Sequence, residues 1–144
     1  MLSGKHILLG VTGGIAAYKT PILVRLLKKS GAEVRVIMTP DATEFVTSLT
    51  LSVLSENPVY WTFTDEESVD QGLWHSHVHL GRWADLYVIA PATANTLSKM
   101  ASGACDNLLL AAYLSAECPI YFAPAMDLDM YEHPATQASF KRLM

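Results

Sequence analysis

Four stretches combine residue types that do chemistry. Trp74-His75-Ser76-His77-Val78-His79 holds three of the five histidines at alternate positions. If the segment is extended, all three imidazoles share one side. Imidazole binds metals and moves protons near neutral pH. Adjacent same-face positions on one strand rarely converge on one ion, and no carboxylate or cysteine pairs with them nearby, so no metal is expected. A single catalytic histidine just before a central strand and a surface histidine cluster remain as readings. Pro91-Ala92-Thr93-Ala94-Asn95 offers side chains small enough for a flat ligand to approach the backbone; an ordinary strand-to-helix turn reads equally well.

Thr12-Gly13-Gly14 forms the third stretch. Two glycines let the backbone approach an anion, and a following helix offers unpaired N–H groups. The spacing Gly10-x-x-Gly13-Gly14 is not the dinucleotide fingerprint, and the next strand runs into Thr39-Pro40 rather than an acidic residue. A hydroxyl at Thr39 suits a phosphate, which favours a mononucleotide over NAD; a tight packing turn is the alternative. In the fourth stretch, Pro124-Ala125-Met126-Asp127-Leu128-Asp129-Met130-Tyr131, two methionines and two carboxylates bracket a possible substrate position. Such carboxylates can do acid–base work or lie in a solvated loop.

The elements that must position these stretches follow from hydrophobic pattern. His6 to Val11 and Leu86 to Ala90 are short apolar runs, long enough for strands buried on both faces but not for helices. Glu33 to Met38 is a further strand, Val59 to Phe63 a short one, and Pro119 to Ala123 another. Ile15 to Ser30 carries apolar residues at helical spacing, with Pro21 marking a kink or a later start; Lys28, Lys29 and Gly31 suit its end. Asp41 to Ser48 reads as a short helix capped by Asp41, with Phe45 either walling a planar ligand or joining the core. Thr64 to Gly72, with Asp65, Glu66, Glu67 and Asp70, reads as an exposed acidic loop. Ala94 to Ala101 and Asn107 to Ser115 read as helices, and His133-Pro134 opens a last one. Strand–helix–strand units joined by right-handed crossovers make an α/β fold with a mostly parallel sheet, and ligands then lie beyond the carboxyl ends of its strands.

Composition narrows the classes. At 144 residues and 51% hydrophobic, the chain supplies one domain with a substantial core. Charged residues are 17%, below the usual value of about 25%, so oligomerisation is plausible. A net charge of -4 argues against nucleic acid as a partner. No apolar run approaches the roughly 18 residues of a membrane span. The N-terminus runs straight into a strand without room for a signal peptide, and Cys105 and Cys118 have no metal-ligand or redox spacing. Cytoplasm is the expected compartment.

Assembled, these motifs resemble the homo-oligomeric flavin-containing cysteine decarboxylases, in the branch acting on 4'-phosphopantothenoylcysteine. Gly13-Gly14-Ile15-Ala16-Ala17-Tyr18-Lys19 is similar to that branch's phosphate turn, and His77-Val78-x-Leu80-x-x-Trp83-Ala84-Asp85 to its catalytic histidine segment. Ala90-Pro91-Ala92-Thr93-Ala94-Asn95-Thr96 resembles its flavin-binding turn, and Pro124-Ala125-Met126-x-x-x-Met130-Tyr131 its substrate motif. The resemblance spans residues 1–144. It implies a Rossmann-like (flavodoxin-like) three-layer sandwich that binds FMN. The residues implied for the cofactor are Thr12, Gly13, Gly14, Ile15, Ala16, Thr39 and Phe45, with the ring against Pro91, Ala92, Thr93 and Asn95. It selects His77 as the catalytic histidine and Ala125, Met126, Asp127 and Met130 for substrate. Sites at the interfaces of a homotrimer, or of a dodecamer of trimers, are implied as well.

The implied reaction solves a definite problem. Loss of CO₂ from a cysteinyl carboxylate leaves a carbanion with no electron sink; flavin oxidation of the thiol to a thioaldehyde provides one, and His77 acts as acid–base in that oxidation. Two departures stand out. Asp127 occupies a place where the family usually has Asn, so it is expected to carry a proton in the site or to yield the donor role to a neighbour. The family's cysteine-bearing lid is not matched, so the chain is expected to be cut short at its C-terminus, and the resemblance implies a fused synthetase domain beyond it. Rival readings are a flavin prenyltransferase, a peptidyl-cysteine decarboxylase and a non-enzymatic binding or regulatory subunit of the same fold.

Overall fold

The computed structural model describes residues 1–64 and 76–144. Five strands form one all-parallel sheet: β1 His6–Val11, β2 Glu33–Met38, β3 Val59–Tyr60, β4 Leu86–Ala92 and β5 Ile120–Pro124, in the order β3-β2-β1-β4-β5. Ile7, Leu9 and Val11 of β1 face one side, with Val34, Val36 and Met38 of β2. Leu8 and Ile37 face the other, with Tyr87 and Ile89 of β4. Both sets are buried, which is why β1 is a continuous apolar run rather than an alternating one.

Helices cover both faces, giving three layers. α1 (Thr20–Lys29) and α2 (Ser48–Ser55) cover the first, through Val24 and Leu51. α3 (His77–Trp83), α4 (Ala94–Ser102) and α5 (Leu108–Ser115) cover the second, through Leu80, Leu97 and the buried run Leu108 to Leu110. Two more, α6 (Leu128–Glu132) and α7 (Pro134–Leu143), follow β5, and Phe140 of α7 contacts Phe122 and Tyr131. The α/β class and doubly wound arrangement expected from the pattern are present.

Several boundaries differ from the sequence expectation, each for a local reason. The segment after Gly14 begins as a 3₁₀ turn, Ile15–Lys19, and becomes α-helical at Thr20 with Pro21 in its first turn; Pro21 marks a later start. No helix runs from Asp41 to Ser48 with Asp41 as cap. Thr39 precedes a 3₁₀ turn, Pro40–Glu44, and α2 starts at Ser48 because the Thr47 hydroxyl accepts the Thr50 N–H at 3.1 Å. β3 is two residues long rather than running to Phe63. β4 does not stop before Pro91: it continues to Ala92 after a break in register with β5 between Ile89 and Ala92, and the Ala90–Pro91 peptide is cis. His77 and His79 lie in the first turn of α3, so their alternation places them on roughly opposite faces of a helix. His75 and all but Thr64 of the acidic stretch lie outside the described residues.

Candidate functional site

The first residues beyond four strands meet at one edge of the sheet. Gly13 and Gly14 follow β1, Thr39 follows β2, Thr93 follows β4 and Ala125 follows β5. They border a cavity of about 820 Å³ at the junction of β1 and β4, where the strand order reverses direction. An open α/β sheet splays its connecting segments apart at such a junction.

The β1 and β2 walls form a cradle for an anion. Gly13 packs so closely on the next wall that an added Cβ would meet Asp41 Cβ at 2.7 Å, so no side chain fits there. Ala17 N–H donates to Gly14 O at 3.0 Å, and the N–H groups before it start a helical segment, where no intrahelical acceptor serves them. Thr39 is 7% exposed, and its Oγ1 is fully buried with no hydrogen-bond partner among the described residues. An orphaned buried hydroxyl is costly. Here it borders the cavity, and a phosphate oxygen would satisfy it.

The floor is tied together by Thr12. Its buried hydroxyl donates to the Pro91 carbonyl and accepts the Thr93 N–H at 3.1 Å. Thr12, Pro91 and Ala92 are buried and do not border the cavity; they set the height at which Thr93, Ala94 and Asn95 form a wall of small side chains. Thr93 also caps α4, accepting the Thr96 N–H at 3.2 Å. Opposite stand Ala125, Met126 and Met130, with Asp127 exposed at the rim. Asp127 precedes α6 without using its carboxylate as a cap.

Eleven of the residues expected at a site therefore border one cavity: Gly13, Gly14, Ile15 and Ala16; Thr39; Thr93 and Asn95; Ala125, Met126, Asp127 and Met130. Two others do not. Phe45 ends the Pro40–Glu44 turn at 42% exposure, away from the cavity. His77 opens α3, half-buried, with its ring edge-on to Phe63 at 6.3 Å. The cavity also recruits Tyr18, Lys19, Asp41, Lys99 and Asp106, which sequence reasoning left without a role. Lys99 Nζ reaches Asp106 at 2.7 Å only because Gly103 turns the chain with φ +75, and no spacing rule shows that. Lys19, by contrast, stood inside the quoted glycine motif.

Other titratable groups are structural. Burial raises the Tyr87 phenol, whose hydroxyl donates to the Leu109 carbonyl at 2.9 Å in the core. Partial burial, then the Asp85 charge, raise the Cys118 thiol.

A glycine turn, a wall of small residues and a thioether wall thus surround one cavity at the switch point of a doubly wound α/β sheet, the place where such folds bind ligands. The chain belongs to the flavoprotein family, whose description matches residues 1–144. It is 46% identical over 142 residues to the coenzyme A biosynthesis bifunctional protein CoaBC of Haemophilus influenzae, covering 99% of this chain but 35% of that protein. The chain thus spans about a third of the length of that relative. Among solved structures, the FMN-dependent cysteine decarboxylase SpaF superposes with a TM-score of 0.89 at 33% identity, covering 99% of this chain and 81% of the other. A PPC decarboxylase C175S mutant complexed with pantothenoylaminoethenethiol gives 0.79 at 34% identity, covering 96% and 76%.

Proposed function

We propose that this chain binds FMN and decarboxylates 4'-phosphopantothenoylcysteine to 4'-phosphopantetheine, a carboxy-lyase step of coenzyme A biosynthesis. The observation that carries the reading is the Gly13–Gly14 cradle with the unpartnered Thr39 hydroxyl, set in one cavity with the Thr93–Asn95 and Met126–Met130 walls. The CoaBC relative supports the pathway. FMN, once bound, would supply the two-electron oxidation of the cysteinyl –CH₂–SH to a thioaldehyde able to accept the electrons released with CO₂, and would hold that electron pair for return to the resulting ene-thiol, so that the conversion to 4'-phosphopantetheine is redox-neutral overall.

The chain's own residues do the rest. Gly13 to Ala16 and Thr39 hold the phosphate, and Ala94 and Asn95 face the ring. Met126 and Met130 give the substrate an apolar, polarizable wall. Asp127 stands at the rim where the substrate carboxylate would be held. His77 moves the thiol proton.

Because His77 does not border the cavity of its own chain, the site takes His77 from a neighbouring copy in a homotrimer, or in a dodecamer of trimers. Ile15 at 77% exposure and Tyr18 at 60% sit at the cavity mouth as uncovered apolar surface that such a neighbour would bury. A fused synthetase domain, as in the bifunctional relative, belongs to the same reading. So does a cytoplasmic location: among the described residues no helix is long and apolar enough to cross a membrane.

The test is an anaerobic one. Purified protein should be yellow, bleach on addition of 4'-phosphopantothenoylcysteine, and release CO₂. His77→Asn should keep the flavin but lose the bleaching by at least about a hundredfold. A wild type that holds flavin but neither bleaches nor releases CO₂ would overturn the reading. A second reading, another cysteine-terminated substrate such as a peptide, draws on the higher TM-score of SpaF; bleaching by a peptide ending in cysteine, but not by the pantothenoyl compound, would select it.

A further inference from the structure

Of the two cations on the cavity wall, one is already engaged. Lys99 is paired with Asp106 at 2.7 Å. Lys19 has no carboxylate partner among the described residues; its Nζ stands 5.7 Å from the centroid of the Tyr18 ring, and both side chains border the cavity. Asp41 also borders the cavity and packs against the glycine turn, within 2.7 Å of where a Gly13 Cβ would be. A phosphate seated between that turn and the buried Thr39 hydroxyl therefore shares its cavity wall with an acidic residue. A phosphate monoester carries roughly -1.5 to -2 charges near pH 7. Backbone N–H groups and one hydroxyl supply hydrogen bonds but no net charge to offset Asp41.

We propose that Lys19 is the counter-cation of a phosphate monoester held at Gly13, Gly14 and Thr39, with the Tyr18 ring steadying its ammonium group. A lysine acts here as a point charge on a flexible stem, and a cation over an aromatic face loses part of that freedom. The inference rests on the flavin reading above and adds to it a residue that discriminates a phosphorylated ligand from its unphosphorylated form. The phosphate can come from the flavin or from the phosphorylated substrate, and the two sources are separable.

The experiment compares the wild type with Lys19→Gln and Lys19→Arg. Protein stripped of flavin is titrated with FMN and with riboflavin at low and high salt, following flavin fluorescence. In Lys19→Gln, FMN affinity should fall about tenfold, the loss of one partly screened charge pair, while riboflavin affinity stays constant. Lys19→Arg should recover most of the loss, and the salt dependence of FMN binding should shrink in Lys19→Gln. In a second arm, with FMN saturating, KM is measured for 4'-phosphopantothenoylcysteine and for pantothenoylcysteine. A rise confined to the phosphorylated substrate assigns Lys19 to that phosphate instead. An equal loss for FMN and riboflavin, or no phosphate-dependent change in either arm, overturns the proposal. A wild type that binds neither flavin overturns the flavin reading and this inference together, and does so before any variant is made.

Discussion

Thr39 shows how a single side chain can point to a ligand class. Its hydroxyl is buried and has no hydrogen-bond partner among the described residues, so it adds no hydrogen bond there to the fold. Thr39→Val keeps the shape and removes the orphan. The flavin-free variant should melt no lower than the wild type, while FMN affinity drops about tenfold, the worth of a hydrogen bond to a charged acceptor; calorimetry and a flavin titration read the two separately. Cys118 gives a pH prediction. Its thiol is raised, first by burial and then by Asp85. The unfolded chain then loses that proton first, so stability falls as pH rises through the unfolded thiol's range, above about 8.5. The thiol is half-exposed, so the effect is small. Urea melts of Cys118→Ala at neutral and alkaline pH should show a flatter alkaline loss; an unchanged loss would clear Cys118 as its source.

At the scale of elements, α3 matters most, because it carries His77 at one end and is fixed at the other. Trp83 stacks on His6 with centroids 4.5 Å apart, and Arg35 lies 4.4 Å from the Trp83 ring. Between them, Gly81 lets α3 rest on the end of α5: an added Cβ would meet the Ser115 carbonyl oxygen at 3.0 Å. Gly81→Ala should therefore push α3 outward and cost about 1–3 kcal/mol in chemical denaturation. FMN affinity, set on the far side of the fold, should hold, while anaerobic bleaching slows as His77 shifts. Loss of FMN binding in this variant would mean that α3 and the cradle are not independent.

For the whole molecule, the exposed apolar surface is the leading feature. Ile15, Tyr18, Ile22 and Leu26 are all more than half exposed; Ile22 and Leu26 share a face of α1, and Ile15 and Tyr18 share a face of the 3₁₀ turn that leads into it. The inward face of α1 is already satisfied by Val24, so this outer stripe has no work to do within one chain. If copies assemble through this stripe as proposed, a charge placed in it separates them: Ile22→Glu is then expected to sediment as a smaller species than the wild type and, with the proposed neighbouring His77 withdrawn from each cavity, to turn over substrate slowly. If the variant stays assembled with full activity, the interface lies elsewhere.

Much of this protein was legible before folding. Continuous apolar runs such as His6 to Val11 gave buried parallel strands, since both faces of such a strand must be dry. Cap and breaker residues placed α4, α5 and α7 within a residue or two, while α2, α3 and α6 were not foreseen as helices. The glycines after β1 and the small residues after β4 marked the ligand edge, because backbone approach is a local property of residue type. The boundaries that went astray, at Asp41 and at Pro91, turned on which hydroxyl met which N–H. Other facts belonged to tertiary structure alone. Burial and isolation of the Thr39 hydroxyl depend on chain that is distant in sequence. So do the tie from Thr12 to Pro91, the engagement of Lys99 by Asp106, the lack of a carboxylate partner for Lys19 among the described residues, and the position of His77 outside the cavity wall. Residue types fix what a group can do; only packing decides which groups share a space and which are left without a partner.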